Sequence, residues 1–424
     1  MELITGGFSV GKINSDDVTT VKTSTPFLII LILGALAALG PLNNDMYLPA
    51  FPNISKDFET TASLVQLSLT SGLFGLAIGQ VVSGALSDVY GRRKPVIIAL
   101  LLFAITSLLC SLAPSIWSLI ILRIIQGAAG GAGVVITRAC IRDLYSGSDM
   151  TKALSVLVLI MGVAPILAPI AGGLLLNFVS WRGVFIALCV IGLLIMVAAF
   201  RLPETLPKSE RTSGGLRQTI TAFKHLIKDR LFLGYALIMG FTSGAMFAYI
   251  SGSPFVLQEI YHLSPQAFSV CFGVNAMGII IASQITGRLA ARYGEIRFLI
   301  IGLSMQFLGG VLLLSVTILN AGLFLILLAL FLVVSSIGFI NPSGTTLAME
   351  SLNGNVGSAS ALIGLISFGI GGIVAPLVGA LGSQTAVPLG VVVAICAGSA
   401  MFIYQFMIRR RNLVIEQQLE IGQD

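Results

Sequence analysis

Two ionisable residues stand inside long apolar runs, where their types suggest proton chemistry. Asp45 lies in GPLNNDMYLP, 19 residues after the first run begins at position 26. Arg123 lies in LRIIQGAAGGAG, seven residues into a run that begins at 116, or roughly 10 Å at 1.5 Å per residue. An ionised Asp at the centre of a membrane helix costs roughly 2.5–3.5 kcal/mol on insertion scales, so a retained one signals function. Desolvation favours the protonated form of any carboxyl, which suits Asp45 to carry a proton. Arg123 cannot shed its charge and must find acceptors, either Asp45, backbone carbonyls or Gln126. The functional reading is a proton carrier, Asp45, whose ionised form Arg123 stabilises until a ligand arrives. The alternatives are an interfacial Asp that anchors a helix end beside Tyr47 and Pro49, and an Arg that ties two helices together.

A second group, Asp88, Gly91, Arg92, Arg93 and Lys94, forms a short polar break after Gly84. Glycine permits a sharp turn there, and Asp88 can accept charge-assisted bonds from Arg92 or from a helix amino terminus. Such a latch would hold one conformer of a two-state protein. Pro165 and Pro169, with Gly162, Gly172 and Gly173, punctuate another apolar run, where proline removes a helix hydrogen bond.

Other chemistry has little to build on. There is no GxxxxGK[ST] phosphate loop, and the 369–372 glycine cluster lacks a dinucleotide setting. The two histidines, His225 and His262, fall outside the apolar runs, and the five cysteines show no paired spacing. No metal, no cofactor and no enzyme activity are expected.

The elements that must position these residues are membrane spans. The 424 residues are 56% hydrophobic and 10% charged, against about 25% charged in soluble domains. A span needs roughly 20 apolar residues. Twelve such runs occur: 26–48, 63–86, 95–113, 116–137, 153–177 and 183–200, then 231–254, 266–288, 297–318, 322–345, 357–381 and 386–408. With a cytoplasmic amino terminus, 21 of the 24 Lys and Arg fall in inside segments, only Lys56 and Arg182 fall outside, and Arg123 lies within a span. Both ends are therefore predicted cytoplasmic. The net charge of +6 is accounted for by these orientation signals beside an anionic leaflet, without nucleic acid. The polar first 25 residues lead us to expect no removable leader before the first run.

The fold class is all-α and polytopic, with twelve transmembrane helices in two six-helix bundles. The expected division is a cytoplasmic segment 1–25, a bundle 26–200, a cytoplasmic linker 201–230 rich in Pro, Ser, Gly and basic residues, a second bundle 231–408, and a tail 409–424. GALSDVYG at 84–91 returns as GRLAARYG at 287–294, an offset of 203. GVAPILAPIAGGL at 162–174 returns as GIGGIVAPLVGAL at 369–381, an offset of 207. Two ordered matches at nearly one offset indicate duplication. Parallel six-helix repeats about an axis along the membrane normal are the architecture of major facilitator transporters, with a site near the midplane.

At these residues the chain resembles the major facilitator superfamily, and within it the drug:proton antiporters of the bicyclomycin-resistance (Bcr/CflA) type. GALSDVYGRRK at 84–94 is similar to the superfamily loop motif, LRIIQGAAGGAG to its fourth-span motif, and GVAPILAPIAGG at 162–173 to the fifth-span antiporter motif. NDMYLPAFP at 44–52, WRGVF at 181–185 and LPETL at 202–206 also resemble that type. The resemblance implies proton-driven export, with Asp45 as protonation site and Arg123 as the arginine linked to coupling. Some relatives carry a second acidic residue two turns earlier in the first span; here that position is Ala37.

Spans seven to twelve have no charge at their centres, so the substrate cavity should be mainly apolar. Its candidate polar contacts are Asn43, Tyr47, Tyr249, Asn275, Gln284 and Asn341, each of which could equally be an interhelical hydrogen-bonding group. This argues against polyanionic substrates. The expected partners are a small-molecule substrate, protons and the lipid bilayer, with the monomer as functional unit in a bacterial inner membrane. A proton-coupled metabolite importer and a non-transporting receptor or scaffold are the competing readings.

Overall fold

The computed structural model describes residues 26–145, 147–211, 223–350, 352, 356–382 and 384–409. The expected segment 1–25, the middle of the linker and all but the first residue of the tail lie outside the described residues. Among the described residues there are helices and turns but no strand. Apolar sequence in lipid must satisfy its own peptide groups, and the helix does so within one segment.

Among the described residues, twelve helices are long and apolar enough to cross a membrane. Spans 1 to 6 are Leu28–Asp57, Ala62–Tyr90, Arg93–Ser111, Ile116–Leu144, Lys152–Leu175 and Trp181–Ala199. Spans 7 to 12 are Arg230–Ile260, Pro265–Tyr293, Glu295–Leu319, Leu323–Glu350, Ala359–Ala380 and Val387–Arg409.

Span 1 differs from the sequence expectation. It continues past 48 to Asp57 and is broken into α1 (Pro26–Asp45), a 3₁₀ turn (Leu48–Ala50) and α2 (Phe51–Asp57). Pro49 and Pro52 cannot donate, and each disfavours the helical conformation of the residue before it, so the chain reforms a helix only with a proline in its first turn. The polar run Asn53, Ser55, Lys56 and Asp57 hid the second piece from an apolar count. Asp45 therefore sits at a helix end in the interior of a broken span.

The chain divides into two compact units. Unit 1 is Met1–Ala50 with Ser71–Gly214, and unit 2 is Phe51–Thr70 with Gly215–Asp424. In unit 1, spans 2 and 4 approach at backbone distance. A Cβ added at Gly75 or Gly79 would strike the carbonyls of Ile124 or Ala128, and one at Gly127 or Gly131 those of Gly72 or Leu76. Small residues at four-residue spacing permit this approach. In unit 2, Phe232, Leu299, Leu303, Ile340, Leu362 and Ile408 belong to one buried cluster that joins spans 7, 9, 10, 11 and 12.

Candidate functional site

Arg123 is fully buried in unit 1, and the break in span 1 supplies most of what it needs. Its Nη1 donates to the Asn43 carbonyl at 3.0 Å, to Asn43 Oδ1 at 2.6 Å and to Gln126 Oε1 at 2.8 Å. Its Nη2 donates to Asn44 Oδ1 at 3.2 Å. The guanidinium carbon lies 4.4 Å from the centroid of the Tyr47 ring and 5.9 Å from that of Phe185, so ring quadrupoles add to the amide dipoles. The cage is braced from behind. Asn43 Nδ2 donates to Asn44 Oδ1 at 3.2 Å, and Gln126 Nε2 donates to Ser107 Oγ at 2.7 Å.

Of the three acceptors expected for Arg123, the structure selects a backbone carbonyl and Gln126. No ion pair joins Arg123 to Asp45, and Asp45 forms none among the described residues. The physical reason is the helix end: Asn43 and Asn44, two and one residues before Asp45, take the terminal nitrogens of the guanidinium, while Nε is buried with no partner among the described residues. Gly172 of the fifth-span motif is placed against the same break. A Cβ there would collide with the carbonyl of Met46, the residue after Asp45. The helix of span 5 runs through Pro165 and Pro169 without interruption.

A second cluster of unit 1 surrounds the turn between spans 2 and 3. Arg92 Nη1 donates to Asp88 Oδ1 at 2.5 Å and to Ser87 Oγ at 2.8 Å, and its Nε donates to Asp143 Oδ2 at 3.0 Å. Burial alone would lower the basicity of Arg92, but the bonds to Asp143 and Asp88 outweigh it and hold the pKa above the ordinary arginine value. The Arg92 amide donates to Glu204 Oε1 at 2.7 Å and the Arg93 amide to Glu204 Oε2 at 3.3 Å. Glu204 thus covers the amino terminus of span 3, where negative charge is favoured by the helix dipole. Arg93 Nη2 donates to the Phe200 carbonyl at 2.6 Å. Gly91, at φ +89°, makes the turn; a Cβ there would strike Glu204 and Arg211. Gly84 lies on the helix of span 2, where a Cβ would make only ordinary contact with Val135. Sequence reasoning assigned no role to Asn44, Asp143 or Glu204; Asn44 and Glu204 lay inside the quoted segments NDMYLPAFP and LPETL, and Asp143 stood only as a carboxylate within a basic inside segment.

Unit 2 offers polar groups without charge. Tyr249 and Asn275 are brought together, with Asn275 Nδ2 donating to Tyr249 Oη at 2.9 Å, while the Tyr249 ring stacks on Phe272 at 5.4 Å. Asn341 Oδ1 is buried without a partner. Gln284 is not part of a polar cluster: it is exposed on the face of span 8 that also bears Met277 and Ile281. Thr242 Oγ1 donates to Gln306 Oε1 at 3.2 Å, while Gln306 Nε2 is buried without a partner. Gln66 uses both ends of its amide, donating to the Ser251 carbonyl at 3.2 Å and accepting from the Gly379 amide at 2.8 Å.

The profile of the Major Facilitator Superfamily matches residues 26–376. The chain belongs to this superfamily. Among curated proteins it is 45% identical to an uncharacterized MFS-type transporter, YdgK, of Bacillus subtilis, over 88% of this chain and 94% of that protein. It is 32% identical to a bicyclomycin resistance protein homolog of Haemophilus influenzae, over 92% of this chain and 98% of that protein. The superfamily member is thus grouped with the bicyclomycin-resistance type that its motifs resemble. Solved structures agree on the fold. A bacterial homolog of the human lysosomal transporter Spinster, in an inward-facing and unoccupied conformation, has TM-score 0.72 at 15% identity, covering 91% of this chain and 99% of that one. The nucleoside transporter NupG has TM-score 0.75 at 14% identity, covering 90% and 100%. The twelve-span transporter fold of this superfamily member accords with the sequence expectation.

Proposed function

We propose that this transporter is a proton-driven antiporter that exports small lipophilic compounds from the cytoplasm by alternating access. The observation that carries the proposal is the arrangement around Arg123. Its terminal nitrogens are held by Asn43, Asn44 and Gln126 and its face lies over the Tyr47 ring, with no carboxylate paired to it among the described residues, so Asp45 can gain or lose a proton without breaking an ion pair. A titrating group that also breaks a buried ion pair would incur the desolvation of both partners.

In this mechanism Asp45 takes a proton from outside, the neutralised site favours reorientation, and substrate bound from the cytoplasm displaces the proton inward. Arg123 biases Asp45 toward ionisation through space and holds the broken segment of span 1 in place. The Asp88, Arg92, Asp143 and Glu204 cluster serves as the conformational latch. Tyr249, Asn275 and Asn341 supply uncharged polar contacts, which suits neutral antibiotics of the kind named for one relative, bicyclomycin. The fifth-span sequence Gly162–Gly173 supports export over import through the resemblance, and the distribution of Lys and Arg supports an inner-membrane protein with both termini cytoplasmic.

The test uses everted membrane vesicles with an acid interior. The antiporter should accumulate a neutral antibiotic in the lumen and lose it when the gradient is collapsed. Gradient-driven loss of antibiotic from the lumen would instead indicate symport, and gradient-independent binding a receptor.

A further inference from the structure

Within unit 2, spans 7 and 12 leave an apolar groove of about 490 Å³, lined by Phe241, Ile395, Gly398, Ser399, Phe402 and Ile403. Its floor is low because Gly398 and Ser399 carry almost no side chain on the turn between two large residues. The same stripe of span 12 continues beyond the groove. Ile395, Phe402 and Phe406 are 60%, 59% and 48% exposed, which marks this face as open to lipid and not packed on protein. The Phe402 and Phe406 rings lie 4.2 Å apart, and Tyr404–Arg409 winds as a π-helix that turns Tyr404 and Ile408 inward. Arg409 ends the stripe, exposed. Its Nη1 donates to Gln405 Oε1 at 3.0 Å, and it pairs with no described carboxylate. Arg410 and Arg411 follow in the sequence.

The dimensions and the charge together identify an occupant. From Ile395 to Arg409 the stripe runs about 21 Å at 1.5 Å per residue. One leaflet, from midplane through headgroup, spans about 20–22 Å. An apolar groove that begins near the midplane, followed by an exposed apolar stripe leading to a guanidinium that pairs with no described carboxylate, matches a lipid molecule, chain below and phosphate above. Arginine binds phosphate oxygens in a bidentate fork, and basic residues just inside a span attract anionic headgroups.

We infer that this groove is a binding site for an anionic phospholipid of the cytoplasmic leaflet, with one acyl chain between spans 7 and 12 and the phosphate on Arg409. The inference rests on the carboxyl end of span 12 being cytoplasmic and is independent of whether the protein exports drugs. A lipophilic substrate entering from the bilayer would use the apolar trough but would gain nothing from Arg409.

The test is native mass spectrometry of the purified full chain in detergent, titrated with phosphatidylglycerol and with phosphatidylcholine of identical acyl chains. The wild type should retain phosphatidylglycerol preferentially. Arg409→Gln should weaken that retention about fivefold, the effect of one basic residue at a membrane surface, and leave phosphatidylcholine unchanged. Ser399→Leu fills the trough and should abolish the preference, whereas Ser399→Ala should keep it. Equal retention of the two lipids by the wild type, or an undiminished preference in Arg409→Gln, overturns the assignment, and the Arg409 arm decides even if Ser399→Leu does not fold.

Discussion

Gly91 and Gly294 occupy the same place in the two repeats and turn the chain with φ of +89° and +88°, yet their surroundings have nothing in common. A Cβ on Gly91 would strike Glu204 and Arg211, whereas nothing lies within 4 Å of one on Gly294. Asp88 and Arg92 of the first loop correspond to Ala291 and Glu295 in the second. The contrast extends into the bilayer. Unit 1 buries Arg123 in a cage of amides and rings, while the residue 207 positions on is Leu330, fully buried in an apolar core. Unit 2 keeps uncharged pairs, Thr242 with Gln306 and Tyr249 with Asn275. Duplication preserved the turn, and the buried arginines of the first copy, Arg92 and Arg123, have no basic counterpart in the second. The proposed division of labour follows that line, with proton handling in unit 1 and neutral polar contacts in unit 2.

The comparison is broken most forcefully at Arg123. Arg123→Ala strands the neutral acceptors of Asn43, Asn44 and Gln126 and should cost about 3–5 kcal/mol, at about 1–3 kcal/mol for each buried group left unsatisfied. Gln306→Leu in unit 2, where Nε2 already lacks a partner, should cost no more than about 1 kcal/mol. Thermal unfolding of the two variants in detergent measures both, and equal losses would erase the distinction between the units.

A smaller difference is expected at the two glycines. Both Gly91→Ala and Gly294→Ala force a side chain into a conformation reserved for glycine, about 1–3 kcal/mol each. Gly91→Ala should cost about 1 kcal/mol more, because it also displaces Glu204 from the amides of Arg92 and Arg93. Limited proteolysis within 201–211 should then speed up for Gly91→Ala alone. Equal protease sensitivity would mean that Glu204 does not hold that segment to the turn.

The smallest effect is assigned to Asn275→Ala, about 0.5–1.5 kcal/mol for one hydrogen bond. Its signature should be a changed preference among exported compounds, read from growth-inhibition panels, with proton coupling intact. A loss of coupling in that variant would place proton handling in both units.

The spans, the repeat and the isolation of Asp45 and Arg123 were legible in the sequence because hydropathy and charge alone specify them. The partners of Arg123 were not. Asn43 and Asn44 differ from other polar residues at a span end only in where the broken helix directs them, and the break itself was masked by the polar residues of α2. Pro49 and Pro52 carried that signal, but an apolar count treats them as an ending and not as an interruption. Asp143 and Glu204 gain a role only when the fold brings them to Arg92 and to the first turn of span 3. Gln284 shows the opposite situation: an amide within a span suggests a polar face, and the structure exposes it beside Met277 and Ile281 at helical spacing.

The central claim is that Asp45 exchanges its proton for substrate while Arg123 stays caged. Purified protein in weakly buffered detergent solution, mixed with a neutral antibiotic that it binds, tests this with a pH-sensitive dye. The wild type should release protons on binding, and Asp45→Asn should bind the compound, seen by tryptophan fluorescence, without releasing any. Undiminished proton release from Asp45→Asn would contradict the account.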